Sequence, residues 1–278
     1  MPVILFYCPI FAIYQVHLIA LLCNKIAAVA TDFSIEQLKK RFAHHPHITR
    51  EELLGFYRSV EPDLKESTFA WRIYSLKEKS QLKPIKRGVY TFSTKPQFRP
   101  HVEPKLREIA LKLNKAFPVA RRCVWSTQWL NEWMIHQPGR FLLLVEVEAV
   151  ATESVFYFLK DEKYKNVYLN PDENLLERYI YEENESIIVK PLVTKAPLEK
   201  EQQIATPSLE KILVDIFVDR KLFSAFQGSE LVHIFNTLYS TYALNITKMT
   251  AYAKRRAKDQ ELIDFMTKHT LLSELLSK

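Results

Sequence analysis

Glycine is scarce in this chain. Four glycines among 278 residues leave few positions that can enter positive φ without strain, and no Gly-rich phosphate loop can be built from them. Cysteine is rarer still: Cys8, Cys23 and Cys123 form no closely spaced pair. That excludes a disulfide framework and a Cys-based zinc site, and it suits a reducing compartment. Catalytic signatures are missing too. A restriction-type nuclease needs an acid-x-Lys on a strand to hold Mg²⁺, but Glu146 and Glu148 have no Lys two residues on, and Asp161-Glu-Lys163 follows a helical pattern. No Asp-x-Asp of the nucleotidyltransferase kind occurs on a strand. No metal or cofactor is therefore expected.

What is present is a folded composition, 47% hydrophobic and 26% charged, with length enough for two ordinary domains. The net charge of +7 is unevenly placed. Residues 34–107 hold 16 Lys and Arg against 8 Asp and Glu, whereas 108–278 hold 22 against 23. The basic surplus thus belongs to the first part of the chain, where a polyanionic partner is the natural expectation.

Residues 1–31 form an apolar leader. Val3 to Cys23 is uncharged and interrupted only by Pro9, Gln15 and His17, just long enough for a bilayer. It reads as a misassigned translation start, a membrane anchor, or a signal peptide ending at Ala28-Val29-Ala30. A signal peptide would normally begin with a basic residue, and none precedes the run.

Residues 32–95 read as a winged helix-turn-helix. Ser34 can cap a helix that buries Ile35, Leu38 and Phe42, and His44-His-Pro-His47 closes it. Those histidines read as a surface turn, because Pro46 splits them and no carboxylate or Cys joins them. Thr49-Arg-Glu-Glu52 is a capping box, and Pro62-Asp63 marks the turn after its helix. In the next helix Phe69, Ile73 and Leu76 recur at i, i+4 and i+7. Ser67, Thr68, Trp71, Tyr74 and Ser75 then occupy the opposite side, with Lys65 and Arg72 at the flanks. Such a face suits a recognition helix, although Trp71 and Tyr74 could equally pack beneath a following domain. Lys83, Lys86 and Arg87 lie on a hairpin whose turn contains Gly88 and whose return strand is Val89–Phe92, a shape for phosphate contact.

Residues 96–105 are a Pro-spaced linker, and 106–278 form the second domain. Helices are expected over 104–117, 127–134, 152–160 and 171–181, and strands over 121–125, 140–147, 166–169 and 186–193. This alternation argues for a mixed or parallel sheet flanked by helices. From Pro207 the pattern is helical: 207–219, 229–242, 246–258 and 259–269. The expected fold class is therefore α+β, an N-terminal winged helix-turn-helix followed by a mixed α/β sheet domain with a helical C-terminal segment.

Three stretches then stand out: Trp71-Arg-Ile-Tyr-Ser-Leu76 with Leu82-Lys-Pro-Ile-Lys-Arg-Gly-Val-Tyr90, then Thr206-Pro-Ser-Leu-Glu-Lys-Ile-Leu-Val-Asp215, and Tyr252-Ala-Lys-Arg-Arg256. Through them the chain resembles the AbiEi family, the antitoxin and transcriptional regulator of type IV toxin–antitoxin systems. The resemblance implies a cytoplasmic bacterial or archaeal autorepressor, not an enzyme. It would bind its own promoter through the winged domain and counteract a separately encoded nucleotidyltransferase-like toxin without necessarily touching it; the basic first domain and the apolar C-terminal helices add the expectation of two copies, a homodimer, on an inverted repeat. Lys65, Ser67, Thr68, Arg72, Lys86 and Arg87 would be its DNA contacts, to which the residue pattern adds Trp71, Ser75 and Lys83. A membrane enters only if the leader is translated and retained. The competing expectation is a metal-dependent nuclease targeted by a winged domain, which would need Glu146, Asp161 and Asp172 to converge.

Overall fold

A computed structural model describes residues 35–273 apart from 43, 44, 46, 80, 93 and 94. The apolar leader, Ser34 and His44 thus lie outside the described residues. Two compact units emerge: the residues up to Leu82 with Tyr90–Phe92, and Lys83–Val89 with everything from Ser93 onward.

The first unit begins with helix α1 over residues 35–41, then strand β1 (Ile48–Thr49), helix α2 (Arg50–Val60) and helix α3 (Glu66–Glu78). Ile35, Leu38 and Phe42 are buried, as their helical spacing requires. Thr49 caps α2: its hydroxyl oxygen accepts from the Glu52 amide at 3.2 Å, and the Glu52 carboxylate accepts from the Thr49 amide at 2.7 Å. Two backbone donors that the helix cannot serve internally are so satisfied. Leu53 and Tyr57 of α2 meet Phe69, Ile73 and Leu76 of α3 in one core, where the Tyr57 and Phe69 rings lie edge to face at 5.9 Å. Each such side chain contributes about 1.5–3 kcal/mol when fully withdrawn from water.

Strands β2 (Lys83–Lys86) and β3 (Val89–Thr91) flank the Arg87-Gly88 turn. Gly88 takes φ 75°, where a side chain would be strained. The strands pair in the order β1-β3-β2, and the division between the units falls inside this hairpin.

The second unit contains helix α4 (Pro104–Ala116), strand β4 (Arg122–Ser126), strand β5 (Phe141–Val147), helix α5 (Thr152–Asp161), strand β6 (Val167–Leu169), helix α6 (Glu173–Arg178) and strand β7 (Glu185–Pro191). Its sheet has the order β4-β5-β7-β6. Strand β5 runs antiparallel to β4 and parallel to β7, and β6 runs parallel to β7. The sheet is mixed, with α5 and α6 in the crossovers that parallel strands demand. Leu143, Leu144, Val145 and Val147 of β5 are all buried, which explains the continuous apolar run of a strand covered on both faces. A hairpin of β8 (Leu198–Glu201) and β9 (Ile204–Pro207) follows, then α7 (Leu209–Val218), α8 (Ser229–Thr241), α9 (Ile246–Arg255) and α10 (Asp259–His269).

Several expected elements change. The segment 127–134 is a 3₁₀ helix, Thr127–Trp133, tied to the sheet at its start because the Leu142 amide donates to the Thr127 hydroxyl at 2.9 Å. The helix expected over 171–181 is α6 alone, capped by Asp172, followed by a separate 3₁₀ turn at Ile180–Glu182. The β8–β9 hairpin was not expected. Its turn residues, Gln202 and Gln203, both take positive φ, 46° and 70°, without the Asn or Gly that usually signals such a turn. Among the described residues no helix is long and apolar enough to cross a membrane.

Candidate nucleic-acid interface and a buried ionic network

Helix α3 turns Phe69, Ile73 and Leu76 into the core of the first unit, so its other side is open. Lys65, at the N-cap, and Ser67 and Thr68, in the first turn, are exposed. Trp71 and Tyr74 stand away from that core, 61% and 56% exposed. Ser75 is half-buried at the rim of a shallow groove that Tyr57, Trp71, Arg72 and Lys79 also line.

Arg72 has a different setting. Its guanidinium donates to the Glu61 carboxylate at 2.7 Å and lies over the Tyr57 ring, 5.2 Å from the centroid. It therefore braces α3 against α2 as much as it offers charge outward. Glu66 in the first turn of α3 pairs with Arg50, itself over the Phe69 ring at 4.9 Å, so this carboxylate's charge is countered at the helix start.

The hairpin cations also differ among themselves. Lys83 donates to the Lys95 carbonyl at 2.7 Å, and Lys86 is half-buried, whereas Arg87 stands exposed at the turn. Ile85 and Val89 between them belong to the core of the second unit. Alternation along so short a strand does not reveal that packing.

The largest concentration of charge inside the second unit is buried. Strand register sets Glu146 of β5 beside Cys123 of β4 and Lys190 of β7. The Glu146 carboxylate accepts from the Trp125 indole at 2.8 Å and from the Lys211 ammonium at 2.5 Å. Lys211 is 0% exposed and also donates to Asp215, four residues on in α7, at 2.5 Å. Asp215 accepts from the Tyr252 hydroxyl at 2.9 Å and from Arg256 at 2.8 Å. Arg256 and Lys190 both donate to Asp219 at 2.5 Å.

Three cations thus balance three carboxylates, as buried charge requires. Burial alone would lower Lys211, but Asp215 and Glu146 raise it well above the usual ammonium value. Burial would raise Glu146 and Asp219; the neighbouring cations win, and both are held below the usual carboxylate range. Burial pushes Cys123 well above the usual thiol value, which makes it an inert core residue rather than a nucleophile. The segments Thr206–Asp215 and Tyr252–Arg256, far apart in sequence, meet in this network. Lys211 and Asp215 had a sequence signal, an i, i+4 ion pair inside a helix whose one other charged residue is Glu210, but nothing in the sequence joined them to Glu146.

The three carboxylates that a nuclease would need have separate engagements. Glu146 belongs to the network, Asp172 caps α6 by accepting from the Leu175 amide at 2.9 Å, and Asp161 is exposed at the end of α5. Among the described residues no group of three or more His, Cys, Asp or Glu could hold a metal ion.

No curated protein and no solved structure matches the chain. A family model described as a family of unknown function, DUF6577, matches residues 68–272, from within α3 through the hairpin and nearly all of the second unit. With that match over most of its length, the chain belongs to the DUF6577 family.

Proposed function

We propose that this protein is a DNA-binding transcriptional regulator whose first unit, with the β2–β3 hairpin, acts as a winged helix-turn-helix. The observation that carries the reading is the order of elements, α1-β1-α2-α3-β2-β3, combined with the strand order β1-β3-β2. In that arrangement α3 is the second helix of a helix-turn-helix and the hairpin is its wing. The basic surplus of residues 34–107 supports it, since phosphate neutralisation supplies most of the affinity of such a module. Lys65 and Arg87 supply exposed cations, Ser67 and Thr68 supply short hydroxyls for base edges, and Arg72 positions the helix.

The finer reading is that of an AbiEi-like antitoxin that represses its own promoter at an inverted repeat and counteracts a nucleotidyltransferase-like toxin from the cytoplasm. It rests on the sequence resemblance. Its test is co-expression with the product of the neighbouring gene: rescue of growth supports it, and a neighbour that is harmless alone removes it. The DNA-binding reading is tested by a gel shift on the DNA upstream of the gene across a salt series. Binding that weakens with salt supports it, whereas absent or salt-indifferent binding refutes it.

A further inference from the structure

Two aromatic side chains on α3 do not fit a helix that only reads intact duplex. Trp71 and Tyr74 are three residues apart, on one side of the helix, and are 61% and 56% exposed. The major groove of B-form DNA presents base edges, which hydroxyl, amide and guanidinium groups read. The base faces are stacked on one another and closed to an indole or phenol ring. Nucleobases released from the stack do offer those faces, and stacking on exposed aromatics is how proteins hold them.

Charge complementarity favours the same occupant. Lys65 precedes the aromatics, Lys77 and Lys79 follow them with Glu78 between, and all three cations are exposed, while Glu66 in the first turn is already paired with Arg50. An acidic strand with accessible bases satisfies both the cations and the rings, whereas an apolar peptide would satisfy only the rings.

We infer that the α3 face binds DNA containing unpaired, unstacked bases, with Trp71 and Tyr74 as the stacking platform and Lys65 as a phosphate contact. This rests on the DNA-binding reading and adds to it the state of the DNA: single-stranded or locally opened.

Tryptophan fluorescence tests it directly. The chain has four tryptophans, and Trp125, Trp129 and Trp133 are 1%, 7% and 4% exposed, so Trp71 dominates any quenching by a ligand at the surface. The full chain would be titrated with a duplex, the same duplex carrying a central unpaired bubble, and its separate strands as DNA and as RNA. The expected result is quenching by the bubble and the single strands but not by the intact duplex. Trp71→Ala should lower affinity for single strands roughly 5- to 160-fold, the range for loss of one stacked base, with duplex affinity nearly unchanged. Trp71→Phe should retain most of the single-strand affinity and keeps the test valid if the alanine variant folds poorly. Tight duplex binding without quenching, and with Trp71→Ala indifferent on every DNA, overturns this inference while leaving the DNA-binding reading intact. Failure to bind any nucleic acid overturns both. RNA preferred over DNA of the same sequence overturns the assignment to DNA.

Discussion

Replacing Lys211 with methionine should destabilise the second unit severely, and the geometry sets the size of the effect. The substitution keeps the volume but removes the ammonium that donates to both Glu146 and Asp215 at 2.5 Å. Asp215 retains Tyr252 and Arg256. Glu146 retains the Trp125 indole and the more distant charge of Lys190, its register partner on β7. One buried carboxylate thereby loses its direct ion pair, a loss that typically costs about 3–5 kcal/mol. For a unit of this size, about 2–4 °C per kcal/mol gives a fall in Tm of roughly 6–20 °C. Differential scanning calorimetry of the full chain measures it.

The pH dependence carries the sharper signature. In the parent, Lys211 holds Glu146 below the ordinary carboxylate range, so the stability this group contributes is present above its unfolded pKa and is lost as pH falls. In Lys211→Met, burial, the largest influence on Glu146, is opposed only by the more distant Lys190 and the Trp125 hydrogen bond; its folded pKa is expected to rise above the unfolded value and the sign to reverse, so that the variant loses stability as pH rises through that range. The gap between variant and parent should therefore narrow on acidification. Adding Glu146→Gln should recover a large part of the loss at neutral pH, because the orphaned charge is gone. A Lys211→Met protein melting within about 2 °C of the parent, an effect under 1 kcal/mol by the same conversion, or a gap unchanged by pH, would refute the reasoning.

Three further outcomes are expected. Thr49→Ala breaks the capping box of α2 and should lower the stability of the first unit by about 1 kcal/mol, read from chemical denaturation followed by circular dichroism; an unchanged midpoint would contradict it. Substituting Gln202-Gln203 by Asn-Gly, residues that accept positive φ at this turn, should raise stability by about 1 kcal/mol, and a lower Tm would show the turn strain to be misread. Arg72→Ala should cost about 1 kcal/mol through its Glu61 ion pair and its stacking on Tyr57. Under conditions where both variants are folded it should weaken DNA binding less than Arg87→Ala; the reverse order in fluorescence anisotropy would make Arg72 a contact rather than a brace.

Local signals made much of this fold legible. The capping box at Thr49 and Glu52, the stripe of Phe69, Ile73 and Leu76, and the apolar run of β5 each express a rule that acts over a few residues. The basic surplus of the first part of the chain was likewise countable, and with the helix period it placed Lys65, Ser67 and Thr68 on the open side of α3. What stayed hidden depends on distant partners or on strain. Glu146 and Lys211 are 65 residues apart, and an isolated carboxylate on a strand does not announce its counter-ion. Gln202 and Gln203 carry a turn that sequence rules assign to Asn and Gly. Ile85 and Val89 join the core of the second unit although their strands read as an independent wing, because a two-residue alternation cannot say which core receives the buried side. Arg72 was legible as a cation flanking the recognition face, but its engagement with Glu61 and Tyr57 depends on how α2 and α3 pack.

The first unit and the β2–β3 hairpin are proposed to bind DNA through α3 and the Arg87-Gly88 turn. The most direct measurement is the salt dependence of affinity for DNA from upstream of the gene, by fluorescence anisotropy, for the parent chain and for Lys65→Ala and Arg87→Ala. The expected result is a linear fall of log affinity with log salt, and a slope reduced by about 1 in each variant, the loss of one phosphate contact. Binding that is absent, indifferent to salt, or unchanged in slope by both substitutions would contradict it.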